Sequence, residues 1–357
     1  MKKSTVIFLI CFVLLTFAPV PVFYAFRPMI AQKNTENKAE SAFPELSLSN
    51  YTTWPKRFES WLSDTLPFKT QLIELFRGTQ YRLGLEYRQS DVIRGEDDTL
   101  FYRATVENYK GMERFTDDEL RVIRDNLTNF FARMEGMGTQ SLLYIAPDKE
   151  QVYGELMPSD IRVVSEESRA DQTAAYLRKE IDYPVLYEKD ALKALSKRFP
   201  VYFKTDTHWN ELGGYFAARA IREAFTGVSA DSGDPQYHYF PENGKDLAAM
   251  LGIEEMETEP NTVLIDFNDG VTVQKTETID HGTLQRFTSD APAHKKLMII
   301  GDSFSEYFLR SAIHDVDEIL FVTYGELSMV DIEAEAPDYL VVMLVERNLP
   351  FLLNGFW

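Results

Sequence analysis

The sequence predicts a three-layer α/β fold around a central, mostly parallel sheet, with a membrane helix at the amino terminus. Three observations carry this. Aliphatic runs at 297–301, 318–324 and 338–344 are apolar at both alternating positions, as expected of strands covered on both faces. Helical patterns alternate with such runs from Thr116 onward. One apolar run ends in Gly301, Asp302 and Ser303, directly before a helical stretch. At 357 residues, 45% of them hydrophobic, the chain can bury one large core.

The elements follow in order. Lys2 and Lys3 precede an uncharged stretch from Ser4 to Phe26. At 1.5 Å per residue this stretch would span roughly 34 Å, about the thickness of a bilayer's apolar core. The two lysines favour a cytoplasmic amino terminus and place the rest of the chain outside. Pro19 after Ala18, and bulky Phe23 before Ala25, make poor cleavage sites, so residues 1–26 read as an uncleaved signal-anchor. Residues 27–50 are polar and irregular and read as a linker; residues 51–357 form the remaining domain. The one cysteine, Cys11, excludes disulfides within the chain.

Helices are expected at 55–63 and 67–83. A turn at Gly95 leads to a strand ending at Tyr102. Thr116 and Glu119 form a capping-box pattern for a helix running to about Met137. A strand follows, stopped by Pro147. Then come a helix at 166–181, a strand at 183–187, a helix at 188–198, and a helix at 210–225 capped by Asn210. Residues 228–260 read as irregular. The turn Asn268-Asp269-Gly270 predicts a β-hairpin insertion over 262–278.

A net charge of -19 repels polyanions, so no nucleic-acid partner is expected. Two segments carry the chemistry. A serine at a strand-to-helix turn exposes its hydroxyl at the carboxyl edge of a sheet, near the amides of the new helix; this makes Ser303 a candidate nucleophile. Asp206 and His208, two apart on an extended segment, share a face, so the carboxylate can orient the imidazole. His208 is then the candidate base. Asp and His also ligate metals, but no H-x-x-x-H or C-x-x-C spacing supplies a third ligand, and neither metal nor cofactor is expected. Lys149 and Arg347 follow expected strands, where sheet ligands bind, and are candidate substrate-binding residues; surface ion pairing is the alternative. Trp209 invites sugar stacking, or else is a core tryptophan.

These segments resemble the alginate O-acetyltransferase group of SGNH-hydrolase-like proteins, including relatives named for a DHHW motif. The matching segments here are DTHWN at 206–210 and GDSFS at 301–305, with weaker likeness in APDKEQVY at 146–153 and FESWLSDTLPFKTQLIELF at 58–76. The histidine segment precedes the serine segment, the reverse of ordinary SGNH esterases. The resemblance implies an SGNH-hydrolase-like fold and transfer of acetyl groups to an exopolysaccharide or cell-wall polymer. In such systems a polytopic membrane O-acyltransferase passes the acetyl group outward. The departure is DTHW for DHHW; Thr207, between the two catalytic candidates, is expected to face away from them. An esterase with the same triad, or an anchored glycan-binding scaffold with a relic site, would read the same way in sequence.

Overall fold

The computed structural model describes residues 3–18, 21, 22, 25, 43–47, 50–64, 68–83, 85, 90–228, 233–279 and 283–356. The chain divides into two units, residues 1–88 with 249–256, and residues 89–248 with 257–357.

The first unit is helical, with helices Lys3–Phe17, Trp54–Asp64 and Lys69–Arg82. Lys3–Phe17 has 15 residues and an exposed apolar surface. At 1.5 Å per residue it rises about 22 Å, short of the roughly 30 Å apolar core of a bilayer. Among the described residues no helix is long and apolar enough to cross a membrane. Much of the expected span beyond Phe17, and most of the expected linker at 27–50, lies outside the described residues. Phe43, Trp54, Phe58 and Trp61 form an aromatic cluster, and the Trp54 indole donates to the Pro44 carbonyl at 2.8 Å.

The second unit is built on a seven-stranded sheet. Its strands are β1 (Gln140–Ala146), β2 (Val185–Tyr187), β3 (Val273–Ile279), β4 (Leu284–Ser289), β5 (Lys296–Gly301), β6 (Glu318–Thr323) and β7 (Tyr339–Val345). The spatial order is β2-β1-β7-β5-β6-β4-β3. The first five in that order are parallel, and β4 and β3 add antiparallel at one edge. The expected three layers are present, on a mixed sheet.

Alternation along the strands builds two cores. Leu142, Tyr144, Ile299, Val341 and Met343 face one side, with helices α3 (Glu211–Thr226) and α4 (Ser305–Ala312). Leu143, Ile145, Met298, Ile300 and Val342 face the other, with α1 (Asp117–Gly136) and α2 (Arg169–Glu180). The α1 capping box forms as expected from Thr116 and Glu119, and its buried Leu120, Ile123, Leu127, Phe130, Phe131 and Met134 recur at helical spacing. Asn210 caps α3, accepting from the amides of Leu212 at 3.0 Å and Gly213 at 3.3 Å.

The expected hairpin over 262–278 does not form. Strand Val263–Ile265 pairs antiparallel with Tyr237–Tyr239, and β3 pairs with β4. Gly270 does adopt a positive φ of 77°, and Asp269 accepts from the Val271 amide. Tertiary anchors outweigh this turn, however. Val263 is buried in the core, and the Ile265 amide donates to Glu211 Oε2 at 3.1 Å.

Candidate active site

The Ser303 turn is held from below. A Cβ on Gly301 would collide with the Ser305 hydroxyl and the Met343 carbonyl, so only glycine fits where β5 passes β7. Asp302 Oδ1 accepts from the Phe304 amide at 3.0 Å. Its Oδ2 accepts from the Val345 amide and Asn348 Nδ2, each at 2.8 Å. Asp302 therefore ties the turn to the end of β7. The amides of Ser305 and Glu306 donate to the carbonyls of Asp302 and Ser303. The helix-start amides expected to face an oxyanion are thus engaged within the turn.

The loop carrying His208 is held by two buried charges. Lys149 Nζ donates to the carbonyls of Leu100 at 2.7 Å, Lys204 at 2.9 Å and Asp206 at 3.1 Å. Glu259 accepts from the amides of Lys204 at 2.9 Å and Thr205 at 2.7 Å, and from the Thr205 hydroxyl at 2.6 Å. Burial pulls the Lys149 ammonium down to about 8.

The two segments meet. His208 Nε2 lies 2.8 Å from Ser303 Oγ, and His208 Nδ1 lies 2.7 Å from Asp206 Oδ1, which also accepts the His208 amide at 2.9 Å. Burial works to raise the Asp206 carboxyl, but hydrogen bonds from His208 and the imidazole's charge outweigh it and hold the group at about 2. An ionised Asp206 favours a proton on Nδ1, which leaves the Nε2 lone pair for the Ser303 hydroxyl. Such an array can activate the hydroxyl as a nucleophile.

A second acid, Asp246, stands beside this pair in a stretch where sequence reasoning expected only irregular chain. Its Oδ1 accepts from the Thr207 amide at 3.0 Å and its Oδ2 from the Thr207 hydroxyl at 2.9 Å. Burial, then the charge of Asp206, pushes Asp246 up to about 6. Thr207 does not face away as expected: its Oγ1 is 3.3 Å from His208 Nδ1, because the chain turns there instead of running straight. Asp206, His208 and Asp246 each offer a metal-ligand atom within 4.8 Å of the others. Two ligands of a tetrahedral zinc stand about 3.3 Å apart, given bonds of roughly 2.0–2.1 Å. The 2.7 Å between Nδ1 and Oδ1 is instead hydrogen-bond spacing.

The other expected site residues are placed differently. Lys149 is 3% exposed, with its ammonium on three carbonyls; it braces the loop and does not present to a ligand. Trp209 is 0% exposed and donates its indole N–H to the Phe304 carbonyl at 2.8 Å, so it is the core tryptophan and not a sugar platform. Arg347 pairs with buried Asp148 and lies 5.1 Å from the Phe304 ring centroid, where it packs beneath the serine turn. Sequence reasoning missed Asp246, Glu259 and the clamp made by Asp302. No spacing flags the first two, and the third was visible only as part of GDSF.

Fold and site together define a domain of the SGNH-hydrolase-like class. The chain belongs to the family described as "SGNH hydrolase-like domain, acetyltransferase AlgX", whose model matches residues 92–313. The resemblance carried by DTHW and GDSF therefore holds. The chain is 27% identical over 184 residues to the probable alginate O-acetylase AlgJ of Pseudomonas putida, covering 51% of this chain and 46% of that protein. It spans about half the length of the curated relatives it matches. Among solved structures it resembles a DHHW family protein from Eubacterium siraeum, at 13% identity and a TM-score of 0.54, covering 73% of this chain and 93% of that one. It also resembles Bacillus cereus PatB1 with a sulfonyl adduct, at 13% identity and a TM-score of 0.53, covering 73% and 98%. At such identities these two likenesses speak for the fold alone.

Proposed function

We propose that the chain is an O-acetyltransferase that moves an acetyl group through an acyl-serine onto a hydroxyl of an exopolysaccharide or cell-wall polymer. The observation that carries this is the continuous relay from Asp206 through His208 to Ser303, with contacts of 2.7 and 2.8 Å, in a chain of this family. In the first half-reaction Ser303 Oγ gives its proton to His208 Nε2 and attacks the acetyl carbonyl. The donor's leaving atom departs with that proton. In the second, His208 takes the proton of the acceptor hydroxyl, whose oxygen attacks the acyl carbon; Ser303 Oγ leaves and regains the proton. Asp206 keeps the imidazole turned and stabilises its charged form. We place the domain outside the cytoplasm on the strength of Lys2, Lys3 and the uncharged stretch to Phe26. On that reading, the donor is a polytopic membrane O-acyltransferase that hands the acetyl group outward.

The test is to incubate the full chain with an activated acetyl ester, with and without oligosaccharide. Acetylated sugar that disappears in Ser303→Ala supports the proposal. Free acetate alone, lost in the same variant, makes the chain an esterase. Near-normal turnover by Ser303→Ala overturns the assignment.

A further inference from the structure

Thr207 Oγ1 has one proton and two neighbours that could take it, Asp246 Oδ2 at 2.9 Å and His208 Nδ1 at 3.3 Å. The two choices have opposite consequences. A hydroxyl that donates to Asp246 turns lone pairs toward Nδ1, which is then free to carry the proton it shares with Asp206. A hydroxyl that donates to Nδ1 needs a bare Nδ1, which moves the ring proton to Nε2 and leaves no lone pair for Ser303. When ionised, Asp246 offers acceptor oxygens to Thr207, Oδ1 to the amide at 3.0 Å and Oδ2 to the hydroxyl, and its carboxyl also stands in hydrogen-bond contact with Asp206.

The segment that presents Asp246 is itself stitched to the histidine loop. The Lys245 amide donates to the Thr205 hydroxyl at 3.0 Å, and the Leu247 amide to the Thr205 carbonyl at 3.1 Å. Asp246 therefore meets Thr207 in a fixed geometry. We propose that Asp246 is a positioning residue that sets the tautomer of His208 by directing the Thr207 hydroxyl away from Nδ1. The inference rests on the reading of His208 as the base. It assigns the residue between Asp206 and His208 a part in catalysis that its position in the motif did not suggest.

Asp246→Asn is the informative change. The Thr207 amide cannot turn, so the Asn oxygen stays on it. The Asn NH₂ then faces the hydroxyl and drives its proton toward Nδ1. The chain has five histidines, which makes ¹⁵N spectra of the histidine-labelled full chain readable once His208→Gln has identified the signal. The wild type should show a protonated Nδ1 and a bare Nε2. Asp246→Asn should show a substantial Nε2–H population and a kcat reduced at least about tenfold, with KM little changed. In a T207V background, where no hydroxyl remains to misdirect, D246N should cost less than about twofold. Thr207→Ser, which keeps the hydroxyl, should recover most of what T207V loses.

The proposal is overturned if D246N leaves the ¹⁵N pattern of His208 unchanged, or if it costs the same fold in both backgrounds. Because the spectra do not depend on turnover, they decide the role of Asp246 even if His208→Gln and Ser303→Ala retain activity and the catalytic reading itself fails.

Discussion

The indole N–H of Trp209 donates to the carbonyl of Phe304 at 2.8 Å, so the residue after the histidine is bonded to the residue after the serine. Two segments separated by most of a hundred positions in the chain thereby share one buried hydrogen bond. Trp209→Phe keeps an aromatic ring but removes the indole donor from the Phe304 carbonyl. It should lower stability by about 0.5–1.5 kcal/mol in chemical denaturation. It should also lower kcat by more than the loss of folded protein explains, because Ser303 loses its registration against His208.

Asp206→Asn replaces an acceptor-only group with an amide that can donate to Nδ1 and so stabilise the wrong tautomer. Turnover of an activated ester should fall by about 10³–10⁴-fold, far more than any loss of folded protein explains. A loss below tenfold would remove Asp206 from the relay.

Lys149→Met should show that this residue acts by bracing the loop. It strips hydrogen bonds from the carbonyls of Leu100, Lys204 and Asp206. The expected cost is about 3 kcal/mol or more in denaturant unfolding, with faster amide exchange across 203–208. A variant of wild-type stability with altered sugar affinity would reverse this assignment.

Buried acids set a pH dependence of stability. Glu150 and Glu346 are both pushed up to about 7, by burial first and then by the charge of Asp148. Their ordinary value is 4.5, so between 4.5 and about 7 the folded chain holds more protons than the unfolded one. Stability must therefore fall as pH rises through that window. Melting at pH 5 should occur at a higher temperature than at pH 8, and Glu346→Gln should flatten the difference. A melting temperature that climbs over this interval, with the variant matching the wild type, would contradict the assignment.

Gly214 is a packing requirement between the two helices that follow the site segments. A Cβ there would come within 2.5 Å of the Tyr307 backbone carbon and oxygen and 2.7 Å of the Phe308 nitrogen. None of these atoms can swing aside, so α3 would have to lift off α4. Gly214→Ala should cost about 1–3 kcal/mol, and activity should fall further as His208 and Ser303 separate.

The parts legible in sequence are those with a local period or a compact motif. The aliphatic runs of β5, β6 and β7, the Thr116 capping box and the pair DTHW and GDSF needed no tertiary information. Asp246 and Glu259 were hidden because they are single acids in aperiodic chain, and only folding brings them to the loop. Lys149 was misplaced because its position after a strand suggests a ligand contact, while burial is decided by long-range packing; for Trp209 the core alternative is the one the structure shows. The Asn268-Asp269-Gly270 turn is locally suited to a hairpin. The partners that Val263–Ile265 and β3 find elsewhere in the chain outcompete it.

The strand third across the sheet, β7, is the last of the seven in chain order. Until it exists, β1 and β2 have no backbone bridge to β5, β6, β4 and β3. Joining the two groups of strands therefore requires contacts of very large sequence separation. A chain without β7 should lose the link between β2-β1 and the other four strands, and not merely an edge.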